Sequence, residues 1–273
     1  MQTLPIYQVD AFAEQVFRGN PAAVVPLAHW LPDAVMQAIA AENNLSETAF
    51  FVATGDHYQL RWFTPTVEVD LCGHATLASA SIIFETLSPQ ANQVSFTTRS
   101  GTLRVTRAQH IGPAAYTLDF PVDVPVRAEL PPALAEVLGT SALEYWVGRR
   151  NLALVDGAGV LRHLQPRFAA LDWLQDRNLI VTAPAETNSG FDFVSRFFAP
   201  FSGVAEDPVT GSAHCTLAPF WAARLGKTRM RAYQASARGG ALDIVLDADR
   251  VFMTGHCVRY LEGQIKVPGA RAA

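Results

Sequence analysis

The sequence predicts an α+β protein built as two similar lobes. Three observations carry this expectation: 273 residues with 49% hydrophobic content, enough for one large core or two moderate ones; strand-like segments that outnumber the helical ones; and an internal repeat that runs through both halves. Twenty-one basic against twenty-five acidic residues leave a formal charge of -4. That balance supplies no broad positive field for nucleic acid or anionic lipid, so an anionic substrate must be held by local dipoles or single cations. The N-terminus has no basic start followed by an apolar core, and no apolar run approaches a membrane-spanning length, so a cytoplasmic protein is expected.

Along the chain, Ile6 to Phe12 mixes β-branched and aromatic residues and reads as a strand, followed by a turn at Arg18-Gly19-Asn20-Pro21 and a second strand at Ala22 to Val25. Leu31 to Asn43 reads as a helix, with Pro32 in its first turn, Asp33 near its positive end, and Val35, Met36, Ile39 and Ala40 on one face. Thr48 to Val52 and Tyr58 to Phe63 are strands around a Thr54-Gly55-Asp56 turn. His74 to Thr86 is small and apolar nearly throughout, the profile of a helix buried on most of its surface. Strands resume at Val94 to Phe96, Gly101 to Thr106 and Ala115 to Asp119. Pro121 to Pro132 interrupts every regular pattern and is the expected link between lobes 1–120 and 121–273, with the last residues able to pack back on the first lobe. Further strands lie near Tyr145 to Val147, Asn151 to Val155, Leu179 to Ala183 and Phe191 to Phe198, with a helix-like stretch around Phe168 to Asp176.

The repeat can be written residue by residue. Arg61-Trp62-Phe63-Thr64-Pro65 leads to Cys72-Gly73-His74-Ala75, and Arg196-Phe197-Phe198-Ala199-Pro200 leads to Thr210-Gly211-Ser212-Ala213. Each copy has an arginine, two aromatics, a proline turn, an acidic stretch (Glu68 and Asp70; Glu206 and Asp207) and a glycine opening a mostly apolar helix. Free N–H groups of a helix's first turn, with the helix dipole, bind an anion without lysine or arginine. If a pseudo-twofold axis relates the lobes, two such ends face a shared cleft that suits a carboxylate-bearing substrate. Each glycine taken alone is equally explained by helix capping.

Three cysteines, Cys72, Cys215 and Cys257, are expected as reduced thiols. His214-Cys215, His256-Cys257 and Cys72 with His74 lack the spacings that put metal ligands on one side of an element, so no metal site is expected. No Gly-x-Gly-x-x-G follows a strand, so no dinucleotide is expected either. Glu47, at the entrance to an apolar strand, is placed where partial desolvation could favour a proton shuttle, though composition alone favours an exposed loop or helix-end glutamate. His74 is a candidate acid, base or donor, or a structural histidine. Asp207 can start a turn with Pro208, and Ser212 can cap a helix.

Four blocks then carry a resemblance: Gly19-Asn20-Pro21-Ala22-Ala23-Val24, Asn44-Leu45-Ser46-Glu47-Thr48-Ala49-Phe50, Asp70-Leu71-Cys72-Gly73-His74-Ala75-Thr76-Leu77-Ala78, and Glu206-Asp207-Pro208-Val209-Thr210-Gly211-Ser212-Ala213-His214. In content and order they resemble the signature blocks of the PhzF-like family of phenazine biosynthesis. The resemblance implies a fold like that of diaminopimelate epimerase, each lobe a curved, barrel-like mixed sheet around a central helix. It also implies a homodimer and an isomerase that moves a proton with no cofactor, the type reaction being isomerisation of a dihydro-hydroxyanthranilate. By motif, Glu47 is the implied general acid/base, with His74, Asp207 and Ser212 as the other catalytic residues. Asn20, Ser46, Gly73, Ala75, Thr210, Gly211 and Ala213 are the implied substrate-binding residues. Diaminopimelate epimerase uses two thiols; here Cys72 stands at the first place and Thr210 at the second, and a hydroxyl cannot match a thiolate as base.

Two other classes remain. One is a binder of a small carboxylate metabolite without turnover, against which the carboxylates Glu47 and Asp207 speak, since they gain an anion binder nothing. The other is a Ser-His or Cys-His hydrolase, for which no Gly-x-Ser-x-Gly elbow or cysteine-protease signature is present.

Overall fold

The structure, a computed structural model, describes residues 1–168, 178–200 and 204–268. The chain forms two compact units, Met1–Asp119 with Thr254–Ala273, and Phe120–Met253.

The first unit contains β1 (Gln2–Ala11), β2 (Asn20–Leu27), α1 (Asp33–Asn43), β3 (Glu47–Thr54), β4 (His57–Phe63), β5 (Glu68–Val69), α2 (Gly73–Ile82), β6 (Gln93–Thr98), β7 (Gly101–Arg107), most of β8 (Ala115–Pro121) and most of the last strand, β17 (Arg250–Val267). The chain passes between units within β8 and within β17. β1 is antiparallel to β2, β2 parallel to β3, β3 antiparallel to β4, β4 parallel to β6, and β6 and β7 antiparallel to their successors. β17 pairs with both β8 and β1 and so closes an eight-stranded barrel. Closure leaves no open edge in that ring.

All ten residues of α2 are buried, and it packs against β1, β2, β3 and β7. A helix enclosed by strands has no polar face to offer water, which explains the run Gly-His-Ala-Thr-Leu-Ala-Ser-Ala-Ser-Ile. The hydroxyls of Ser79 and Ser81 donate to the carbonyls of Ala75 and Ala78 at 2.7 and 2.8 Å, so buried polarity is satisfied within the helix itself. The sequence predicts a helix as far as Thr86. α-Geometry ends at Ile82 and residues Ile83–Leu87 form a π turn. Its departing chain is held by Arg107, whose guanidinium donates to the carbonyls of Phe84 (2.7 Å), Pro89 (3.1 Å) and Ala91 (2.9 Å).

The second unit contains β9 (Val126–Ala128), α3 (Leu134–Leu138), β10 (Glu144–Val147), β11 (Asn151–Leu154), α4 (Ala158–Arg162), β12 (Leu179–Pro184), β13 (Phe193–Ala199), β14 (Val204–Asp207), α5 (Gly211–Leu225), β15 (Arg229–Gln234) and β16 (Gly240–Asp247). Its pairings repeat those of the first unit: β10 antiparallel to β11, β11 parallel to β12, β12 antiparallel to β13, β13 parallel to β15, β15 antiparallel to β16. β14 folds back on β13 as β5 does on β4. Each unit is thus a curved mixed sheet with a buried helix, α2 or α5, between the strands of its second parallel pair.

The written repeat has a physical content. Arg61 Nε and Nη2 donate to both oxygens of Glu68 at 2.7 Å, and its guanidinium lies 5.2 Å from the Phe63 ring. Arg196 makes the same pair with Glu206 at 2.7 and 2.8 Å, 4.9 Å from Phe198. Bidentate pairing over an aromatic face fixes the turn that feeds each central helix.

Several sequence readings are corrected here. The Pro121 to Pro132 passage contains β9, which pairs with β10; a three-residue strand between prolines needs ladder donors only at its own residues. The acidic stretch holds a short strand, β5, and Pro32 is the N-cap of α1 instead of a first-turn residue. β15, β16 and β17 and the short α3 and α4 carry no sequence expectation. The helix-like stretch around Phe168 to Asp176 lies, after Phe168, outside the described residues.

Pro219 inside α5 shows how the passage after β8 is used. Proline removes the N–H that would bond to the Cys215 carbonyl. The N–H of Asp123 takes that carbonyl at 3.1 Å, and the Asp123 carboxylate accepts from the buried Thr216 hydroxyl at 2.7 Å and from the Arg149 N–H at 3.1 Å. Asp123→Ala leaves a buried hydroxyl without its acceptor and is expected to lower stability by about 1–3 kcal/mol. A urea midpoint equal to the wild type's would show that Asp123 is not holding α5.

Candidate active site

In the first unit, Gly19 turns the chain from β1 into β2 with φ +63°, and a Cβ there would lie 2.1 Å from the Ala11 carbonyl oxygen, so a side chain is excluded. The turn delivers Asn20, fully buried, to the start of β2. Glu47 opens β3, beside Ala22 of β2 in parallel register. Cys72 is the N-cap of α2 and His74 its second residue. These four residues come together. The Asn20 amide nitrogen lies 3.0 Å from His74 Nδ1, Glu47 Oε2 lies 3.2 Å from His74 Nε2, and Cys72 Sγ lies 3.5 Å from Nδ1. Ser46, half-buried, precedes Glu47, while Gly73 and Ala75 are buried in the first turn of α2.

Burial works against an imidazolium at His74, but the neighbouring Cys72 and Glu47 outweigh it and raise the pKa well above 6.5. Burial, reinforced by Glu47, pushes the Cys72 thiol up to about 11. The thiol is therefore neutral near neutrality, and the attraction that holds the proton on His74 comes from the Glu47 carboxylate. The side chain of Glu47 keeps 17% exposure against 4% for His74. Because Oε2 is covered, that exposure belongs to the rest of the side chain. One carboxylate oxygen lies against the ring while the side chain as a whole keeps some exposure. The Asn20 amide suits either state of the ring: its nitrogen donates to a neutral Nδ1, and turned over, its oxygen accepts from an imidazolium.

The donor atoms of Glu47, Cys72 and His74 all lie within 4.8 Å of one another, a set able to surround a divalent ion. Sequence spacing hides this set, because Glu47 arrives from another strand. A metal there would first have to displace the proton of a thiol held at about 11.

In the second unit, Asp207 ends β14 and Thr210 is the N-cap of α5, with Gly211, Ser212 and Ala213 in its first turn. The Thr210 hydroxyl donates to Asp207 Oδ2. Gln234 of β15, fully buried, accepts from the Thr210 N–H at 2.8 Å and donates to the Asp207 carbonyl at 2.7 Å. Nothing in the sequence singles out Gln234, since it contacts this turn from a strand two dozen residues further on. Arg150 Nη2 donates to the Ser212 hydroxyl at 3.2 Å. His214 is silent as an acid: burial lowers its pKa to about 4, and its Nδ1 faces the Thr210 carbonyl at 2.8 Å.

Similarity to known proteins runs over nearly the whole chain. The family model for phenazine biosynthesis-like proteins (PhzC-PhzF) matches residues 9–263. An uncharacterized isomerase of Pseudomonas aeruginosa is 48% identical over 262 residues, covering 96% of this chain and 98% of the relative. A crystal structure of a PhzF-family phenazine biosynthesis protein from Enterococcus faecalis superposes with a TM-score of 0.92 at 45% identity, covering 97% of this chain and all of the other. A hydroxyproline epimerase from Agrobacterium vitis shares the fold alone, with a TM-score of 0.62 at 11% identity over 96% of this chain and 92% of the other. With its epimerase-like barrel, its four blocks and full-length similarity in agreement, this chain belongs to the phenazine biosynthesis-like (PhzC-PhzF) family.

Proposed function

We propose that this isomerase moves a proton on a small carboxylate-bearing substrate without a cofactor, with Glu47 as general acid/base. The observation that carries the reading is the Glu47–His74 contact: a carboxylate anchored at 3.2 Å on one oxygen and still 17% exposed. His74 holds that carboxylate in orientation and stabilises its charge. Gly73 and Gly211 open helices whose first-turn N–H groups suit a substrate carboxylate, flanked by Ala75 and Ala213. Asn20 and Ser46 shape the pocket in the first unit, and Asp207, Thr210 and Ser212 supply the polar groups in the second. Dihydro-hydroxyanthranilate isomerisation, the family's type reaction, is the model for the chemistry.

Glu47→Gln keeps shape and removes the ionisable group, so solvent-deuterium incorporation into a carboxylate substrate should fall by about a hundred- to ten-thousand-fold while ligand affinity changes far less. Equal exchange rates in the two proteins would transfer the role to Asp207 or His74. Wild type that binds carboxylates yet exchanges no proton with any would favour a metabolite binder.

Cys72→Ala should retain much of the exchange activity, because a neutral thiol held at about 11 is a poor base. Dialysis against a chelator should leave the rate unchanged. Complete loss in either experiment would bring back thiol or metal chemistry at this cluster.

The His74 pKa is raised in the folded state, so the pair contributes its full stabilisation below about 6.5 and loses it as pH rises through the folded value. In an NMR titration His74 should remain imidazolium at pH 7, and Glu47→Gln should move its midpoint down. A midpoint that Glu47→Gln leaves in place would sever the two residues electrostatically.

A further inference from the structure

Among the described residues, Arg150 is a half-buried cation with no carboxylate in ion-pair reach. Its guanidinium lies 5.6 Å from the Phe197 ring, Nη2 donates to Ser212, and Nε–H is buried with no acceptor. Burial lowers its pKa, an effect that Cys215, Asp123 and Asp207 partly offset from a distance. Arginine stays charged regardless, so the group carries a desolvation cost that no carboxylate in direct contact offsets. The contrast lies on the next residues of the same strand: Arg196, stacked on Phe198, holds Glu206 with two bonds.

Alternation along β13 puts Phe197 on the face opposite Arg196 and Phe198. Phe193 shares the Phe197 face and stacks on Trp221 of α5 at 5.3 Å, so that face looks toward the central helix. Arg150 is thus held between the inner face of β13 and the first turn of α5. The repeat makes the placement more specific. Ser212 occupies in the second copy the place of His74 in the first, each following the helix-opening glycine. Asn20, at the entry of β2, touches His74; Arg150, at the entry of β11, touches Ser212. In each unit the residue after the helix-opening glycine is met by a polar side chain near the start of a strand, an amide in one and a guanidinium in the other.

We propose that Arg150 is the anion-recognition residue of the second unit, taking the substrate's carboxylate together with the Ser212 hydroxyl and the first-turn N–H groups of α5. The inference rests on the reading of this enzyme's substrate as a carboxylate. It makes specificity depend on charge: an uncharged amide of the same shape leaves the guanidinium uncompensated and binds poorly. A planar guanidinium pre-stacked on Phe197 also favours a planar carboxylate over a single point of negative charge.

The test uses the whole chain and a matched pair of probes, benzoate and benzamide, with wild type, Arg150→Met and Arg150→Lys. Isothermal titration should show benzoate binding weakened at least about 30-fold in Arg150→Met, partly restored in Arg150→Lys, with benzamide equally weak in all three. Should Arg150→Met not fold, the Arg150 Nε–Hε resonance in 15N-labelled wild type, identified by its loss in Arg150→Lys, should move on adding benzoate and stay on adding benzamide. Benzoate affinity unchanged in folded Arg150→Met, an unmoved resonance, or no benzoate binding by wild type each overturns the proposal. Glu47 separates this from the isomerase reading: Arg150-dependent binding without proton exchange defeats that reading alone, whereas exchange that persists with Arg150-independent binding defeats this one alone.

Discussion

A helix enclosed by a closed sheet sets the terms for the rest of the first unit. Strands occupy every direction around α2, so no side chain on it can reach water, and the sequence answers with alanine, glycine and hydroxyls that bond to their own backbone. Such a helix can carry chemistry only at its ends. Its C-terminal end is consumed by the π turn and by Arg107. The first-turn N–H groups at the N-terminal end lie outside the helix ladder, and there Asn20, Glu47, Cys72 and His74 gather from three separate segments.

Within that small space, electrostatics divides the roles. Two groups able to take a proton, a thiol and a carboxylate, flank one imidazole. Burial drives the thiol up to about 11. On the imidazole it is outweighed by the neighbouring Cys72 and Glu47, which raise the His74 pKa well above 6.5. In the second unit a hydroxyl, Thr210, stands at the helix opening where the first unit has the thiol of Cys72.

Duplication explains why the two units can differ in chemistry while sharing structure. The bidentate Arg61–Glu68 and Arg196–Glu206 pairs, the aromatic beneath each and the order of strand pairing belong to the scaffold and are the same in both. Residues at the helix openings have diverged: Cys72 against Thr210, His74 against Ser212. Keeping the turn and varying the residues it presents lets one architecture hold a thiol and an imidazole at one helix opening and two hydroxyls at the other.

The sequence by itself determined the two similar lobes, the duplication and the mostly apolar helices, because these are written in local periodicity, turn chemistry and repeated order; the epimerase-like fold and the residues around Asn20, Glu47, His74 and Asp207–Ser212 were implied by the four-block resemblance. It also marked Glu68 and Glu206 as part of the repeat, though their role as arginine partners emerged only in space. Tertiary structure alone decided that Cys72 is a neutral thiol against His74, that Gln234 clamps the turn before α5, that Asp123 serves the carbonyl freed by Pro219, and that Arg150 faces Ser212. All but the first of these join residues far apart in the chain, where spacing carries no signal, and the first depends on burial. Burial, which sets the proton affinities, is likewise a property of the folded barrel and has no local trace in the chain.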